Sequence, residues 1–420
     1  MAAQPYDLLL RNGQLLRSPQ HLEKADIAIQ GDQIAAISPH LQGSAVLEID
    51  VAGQLVSPPF VESHIHLDSA LTAGDPGWNQ SGSLFEGIEI WRERKQSLTL
   101  EDVKQRAIQT LKQQATQGVL YVRSHADVSE PTLTALQGLL EVREAVKDWL
   151  TLQVVAFPQD GVYGSPQNEE LLEEALRLGA DAVGGIPHYE LTREDGVRSV
   201  QRIFELAQRY DRLIDIHCDE IDDDQSRFLE VVVACAIRSG LGPRVTASHT
   251  TAFASYNNAY ALKLMGFLQR TQLNFIANPL INITLQGRTD TYPKRRGVTR
   301  VKELWQQGLN VSLGHDCIQD PWYALGTGNM LDVASMAVHV CQMTGRAEID
   351  ACYNMVTWQG ARTLNLPVYG LDVGQPANLM VLDADSRYEA IRQRSVVRWV
   401  IARGKVISQT EPAHQTSFLT

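Results

Sequence analysis

Eight short apolar runs, each carrying polar or ionisable residues toward its C-terminal end and most followed by an amphipathic stretch, constrain this chain more than any other feature. In order they are "SPPFVESHIHLD", "GVLYVRSHADV", "LTLQVVAFPQDG", "DAVGGIPHYE", "LIDIHCDE", "RVTASHTTA", "NFIANPLIN" and "NVSLGHDC". Stretches such as "LEDVKQRAIQTLKQQATQG" and "GVRSVQRIFELAQRYD" lie between them, with apolar residues recurring at helical spacing. Alternation of this length makes a parallel sheet covered by helices, either closed into a barrel or left open and doubly wound.

The ends of the runs separate the two. His64 and His66 end the first, His125 the second, Gln159 the third, His188 the fourth, His217 and Glu220 the fifth, His249 the sixth and Asp316 the eighth. In a barrel, all of these converge on the one rim where such enzymes build their sites. The expected fold is therefore an α/β TIM-type (β/α)8 barrel.

The chain has 420 residues, more than the roughly 250 that such a barrel needs. The surplus lies at both ends, where "YDLLLRNGQLL", "ADIAIQGDQIAAISP", "ANLMVLDADS" and "VVRWVIARGKVIS" read as short strands broken by N-G and G-D turns. Residues 1–57 and 370–420 are expected to pair into one small β-sandwich domain, leaving residues 58–369 as the barrel.

A net charge of −12, spread along the chain, argues against a nucleic-acid polymer as partner, which would need a basic stripe. No apolar run approaches the ~20 residues that span a bilayer, and no signal peptide opens the sequence, so no membrane contact and a cytoplasmic location are expected. The five cysteines include no C-x-x-C pair, which fits reduced thiols.

In "HIHLD" two histidines stand two apart on an extended run, so both imidazoles point the same way and can reach one ion. His217, His249 and Asp316 join them at neighbouring strand ends, giving imidazoles and a carboxylate for a single divalent metal. Glu220, three residues after His217, can stand over that site and carry a proton between water and a leaving group. The chain has no H-E-x-x-H, P-loop, G-x-G-x-x-G or G-x-S-x-G motif. The H-x-E…P-C-x-x-C signature of small zinc deaminases is also missing.

Together with "GWNQSGSLFEGIEIW", "VVAFPQDG", "LIDIHCDEIDDDQSRF", "VTASHTTA", "TYPKRRG" and "GHD…DPWYALGTGNM", these residues resemble the amidohydrolase superfamily and, within it, the bacterial cytosine deaminases. The resemblance spans nearly the whole chain. It implies that His64, His66, His217 and Asp316 bind one divalent metal, iron(II) or zinc, with Glu220 as proton shuttle and His249 orienting the attacking water with Asp316. It also implies that Gln159 holds the edge of a pyrimidine while Phe157 and Trp322 wall its ring. No metal-bridging lysine ends the third or fourth run, which fits a mononuclear site. The implied reaction is hydrolytic deamination of a free nucleobase, by a homo-oligomer.

One position departs from the cytosine-specific pattern: two adjacent aspartates follow "GH" there, whereas Cys317 follows Asp316 here. A hydrated carboxylate beside a methyl group carries a desolvation cost that a thiol does not. The chain thus resembles the 5-methylcytosine deaminase branch, with cytosine, 5-fluorocytosine and isoguanine as further substrates. Two other readings stand beside this one: a deaminase of cytosine proper, and a cyclic-amide hydrolase using two metals bridged by a carboxylated lysine.

Overall fold

The computed structural model describes residues 5–413. Five strands come first: β1 (Tyr6–Ser18), β2 (His21–Gln30), β3 (Gln33–Ser38), β4 (Ala45–Asp50) and β5 (Leu55–Ser57). Eight follow from the apolar runs: β6 (Phe60–Ile65), β7 (Val119–Asp127), β8 (Thr151–Phe157), β9 (Ala182–Gly185), β10 (Leu213–Cys218), β11 (Val245–His249), β12 (Asn274–Ala277) and β13 (Asn310–Leu313). The last three are β14 (Leu379–Leu382), β15 (Val397–Ala402) and β16 (Lys405–Gln409).

Strands β6 to β13 pair in chain order, every neighbour parallel. Helices cover them on the outside, among them α2 (Leu100–Thr116), α3 (Thr134–Val146), α4 (Asn168–Arg177), α5 (Arg193–Tyr210), α6 (Phe228–Ser239), α7 (Asn258–Leu268), α9 (Val301–Gln306) and α10 (Met330–Val340), while α1 (Leu84–Arg94) and α8 (Pro279–Leu285) lie over the rim. Burial on both faces explains why the strands read as continuous apolar runs: all nine residues of β7 are buried.

Helix α5 shows how local chemistry sets the element ends. Thr192 caps its N-terminus by accepting from the Asp195 N–H, and Glu194 and Asp195 complement the helix dipole. Val200, Ile203, Phe204 and Ala207 bury one stripe, and Asp211 ends the helix in a left-handed turn.

No strand ladder joins β6 to β13. The barrel meets itself there through a single bridge, Ile65 to Asp316, and through backbone bonds from Asp316 N to His64 O (2.8 Å) and His66 N to Asp316 O (3.0 Å). Gly314 permits this approach, because a Cβ there would stand 2.8 Å from the Cβ of His64.

The terminal strands form one separate eight-stranded sheet in the order β16-β15-β14-β5-β1-β2-β3, with β4 beside β1. The ends of the chain meet where β14 pairs antiparallel with β5. Leu8, Leu10, Ile27, Ile29, Val56, Leu379, Val381 and Ile401 pack into this sheet's own apolar cluster. Among the described residues, no helix is long and apolar enough to cross a membrane.

Candidate active site

The rim residues are presented by abrupt turns at the strand ends. Asp219 (φ 54°), His249 (φ 64°), Thr250 (φ 46°) and Asp316 (φ 71°) all occupy the left-handed region, a costly conformation for residues with a Cβ that persists only where surrounding contacts enforce it. Asp219 shows such enforcement: its carboxylate accepts from the backbone N–H groups of Phe228 (3.0 Å) and Leu229 (2.8 Å) and from the Ser226 hydroxyl (2.6 Å).

These turns bring His64, His66, His125, His217, His249, Glu220 and Asp316 into one buried cluster. His66 Nε2 lies 3.1 Å from His217 Nε2. Asp316 Oδ1 stands 3.5 Å from His66 Nε2 and 3.6 Å from His64 Nε2. Two donors held at ~2.1 Å by one tetrahedral ion stand about 3.4 Å apart, so this spacing fits a single cation. Three overlapping trios, His64/His217/His249, His64/His66/His125 and Glu220/His249/Asp316, each bring their donor atoms within 4.8 Å of one another. His64 Nε2 and His217 Nδ1 are buried without a hydrogen-bond partner.

The electrostatics separate the imidazoles. Burial, reinforced by the neighbouring imidazoles, pushes His64, His66 and His217 well below the usual histidine range, and a neutral imidazole is what metal ligation requires. Burial opposes charge on His249 too, but Glu220 and Asp316 outweigh it and hold its pKa above the ordinary value. Its Nδ1 lies 3.0 Å from Glu220 Oε1, and its Nε2 lies 3.7 Å from Asp316 Oδ2.

A second layer fixes the first. Ser248 Oγ donates to Asp215 Oδ1 (2.6 Å) and lies 3.2 Å from His64 Nδ1. Since the serine proton is committed to Asp215, His64 Nδ1 is the donor to Ser248, which leaves its Nε2 bare toward Asp316. The fully buried Arg123 guanidinium neutralises Asp215 at 3.0 Å. Buried Glu62, pushed up to about 8 mainly by desolvation, accepts from the backbone N–H groups of His64 and His315.

The cavity above this cluster is lined by His66, Gln159, His217, Glu220, His249, Asp316, Cys317 and Trp322. Leu84, Ile186, Ile281 and Leu285 complete it, and none of the four stands out in the sequence. Helix α1 roofs the cavity. Trp322 donates its Nε1 proton to the Leu84 carbonyl at 3.2 Å, and Lys95, just past the helix, reaches Asp127 (2.9 Å) and Asp160 (2.6 Å).

One expected feature sits differently. Phe157, expected to wall a bound ring, stacks on the His217 imidazole (centroids 4.1 Å apart, 19° between planes) and is absent from the lining. The first turn past β8 carries Gln159, not Phe157, to the surface of the cavity. Cys317 packs in an apolar cluster with Ile88, Trp91, Ile281, Leu285 and Trp322. Burial, with Asp316 and Asp320 beside it, pushes its thiol far up, so it is a neutral wall and not a nucleophile.

A sequence model described as the amidohydrolase family matches residues 47–408. The structure of a 5-methylcytosine deaminase from Klebsiella pneumoniae, liganded with phosphonocytosine, is 49% identical and superposes with a TM-score of 0.94, covering 97% of this chain and 100% of that one. N-isopropylammelide isopropyl amidohydrolase from Pseudomonas sp. strain ADP is 30% identical over 413 residues, 97% of this chain and 98% of its own length. Pterin deaminase from Rhizobium rhizogenes is 28% identical over 409 residues, 95% of this chain and 91% of that one.

Proposed function

The chain belongs to the amidohydrolase family, and from that premise we propose that it is a metal-dependent aminohydrolase converting free 5-methylcytosine and water to thymine and ammonia. The observation that carries the substrate is the apolar cluster around Cys317, set in the same cavity wall as Ile281, Leu285 and Trp322. The similarity to the Klebsiella 5-methylcytosine deaminase, at 49% identity over 97% of the chain, supports the same assignment.

His64, His66, His217 and Asp316 are the residues we assign to one divalent cation, iron(II) or zinc. The neutral state of the three imidazoles supports their choice over His249, which two carboxylates hold toward its charged form. When bound, such an ion lowers the pKa of water from about 15.7 toward about 7 and makes a nucleophile available at neutral pH.

The remaining work falls to side chains. Glu220 takes a proton from the attacking water and delivers it to ring N3, then takes the remaining proton of the new C4 hydroxyl and passes it to the amine, so that ammonia leaves as the C4–N bond breaks and the C4 carbonyl forms. His249, clamped between Glu220 and Asp316, keeps that water aimed at C4. Gln159 holds the polar edge of the base, Trp322 lies against its ring, and Cys317 faces the C5 methyl. We place the enzyme in the cytoplasm as a homo-oligomer.

Ammonia release on the metal-replete protein tests the reading, with 5-methylcytosine, cytosine and isoguanine compared by kcat/KM. The expected order puts 5-methylcytosine first, with activity lost on chelation and restored by iron(II) or zinc. A preference for cytosine would make this a cytosine deaminase. Two metal equivalents per chain together with ring opening would make it a cyclic-amide hydrolase.

A further inference from the structure

We propose that Glu62 is the positioning residue that sets the spacing between His64 and Asp316, the donors contributed by the two sides of the barrel seam. The inference rests on the metal assignment above and extends it to a residue that does not line the cavity.

The need for such a residue arises from backbone geometry. The pairing of β6 with β7 is irregular between Glu62 and Ile65: three steps along β6 match only two along β7, from Val122 to Ser124. The bulge turns the His64 N–H out of the ladder. Across the seam, β13 ends at Leu313 and the chain leaves the sheet, so the His315 N–H also lacks a strand partner. Both groups are buried, and an unpaired buried N–H is strongly disfavoured. One oxygen, Glu62 Oε1, accepts from both, at 3.1 Å from His64 N and 3.0 Å from His315 N.

Those two bonds join the two direct ones across the seam, Asp316 N to His64 O and His66 N to Asp316 O. Of the two Glu62 bonds, the one to His315 crosses the seam while the one to His64 anchors the carboxylate on its own strand, so one of these three seam bonds runs through a single side chain, next to Asp316 in its left-handed conformation (φ 71°). Without the acceptor, the two amides are satisfied only if the seam opens or Asp316 uncurls, and either movement displaces a metal donor.

The test loads wild-type, Glu62→Gln and Glu62→Leu proteins with cobalt(II), reading affinity, visible d–d absorption and melting temperature. The expected result is a Leu variant that melts cooperatively but binds at least about tenfold more weakly with an altered spectrum, and a Gln variant, which keeps the acceptor, within about threefold of wild type. Equal affinity and an unchanged spectrum in a folded Leu variant overturn the proposal, as does an equal loss in Gln. If the Leu variant does not fold, Glu62→Ala, which also removes the acceptor without adding bulk, decides: weakened binding in the folded protein supports the proposal and unchanged binding overturns it. A wild-type protein that takes up no cobalt would instead defeat the metal assignment itself.

Discussion

The indole of Trp322 lies directly on the backbone of Gly87: a Cβ built at Gly87 would fall 2.3 Å from Trp322 Cδ1 and 2.4 Å from its Nε1. The glycine in "FEGIEIW" is thus the seat on which one cavity wall rests. Gly87→Ala is expected to push the indole away from the Leu84 carbonyl, raising KM several-fold and costing ~1–3 kcal/mol of stability from overpacking, although alanine is the better helix former. Steady-state kinetics with thermal melting check both halves. A variant with wild-type KM and an equal or higher melting temperature would show that the wall has room to move.

Cys317→Asp is expected to shift the kcat/KM ratio of 5-methylcytosine to cytosine toward cytosine by at least roughly tenfold, since a methyl-sized change in a pocket is worth ~1–3 kcal/mol. The new carboxylate would also enter an apolar cluster already flanked by Asp316 and Asp320. A lower melting temperature should therefore accompany the change. An unmoved ratio would dissociate Cys317 from substrate choice.

Glu220→Gln removes the group assigned to proton transfer while keeping its size and its neighbour His249. The turnover number is expected to fall by roughly 10²–10⁴-fold, with bound metal per chain unchanged. Loss of metal in this variant would mean that Glu220 serves as a ligand.

Away from the site, Asp26 ties the small sheet together. Burial alone would raise its pKa, but the N–H groups of Asn12 and Leu41 and the Arg11 guanidinium outweigh burial and hold it below the ordinary 3.8. A lowered folded-state pKa stabilises the protein above the unfolded value, and that contribution is lost as pH falls through the folded one. Asp26→Asn is thus expected to melt lower than wild type at neutral pH, with the gap closing below about pH 4. A gap of constant size down to acid pH would mean that the ionised carboxylate contributes nothing.

What could be read from the residues alone follows a physical dividing line. His64, His66, His217, Glu220, His249 and Asp316 were visible because polar groups at the ends of apolar runs are conspicuous. The roof and wall residues Leu84, Ile186, Ile281 and Leu285 were not, because an apolar side chain facing a cavity has the same pattern as one facing the core. Glu62, Asp215 and Ser248 lie inside strands, and only the closed barrel reveals which imidazole or amide each one serves. Phe157 shows a limit of another kind: identity and position were correctly read, but whether an aromatic faces a ligand or backs a histidine depends on one turn of chain. The terminal strands and the meeting of the two ends were readable, whereas which strands meet, β5 with β14, is fixed by a contact between residues more than three hundred positions apart.

The seam between β6 and β13 also dictates an order of assembly. During synthesis, His64 and His66 leave the ribosome some 250 residues before Asp316, and β5 must wait still longer for β14. The rim therefore has no partial version that works: a nascent chain ending short of β13 lacks both the carboxylate and the strand that shuts the barrel. Competence to bind the metal arrives late, in the same interval that closes the fold.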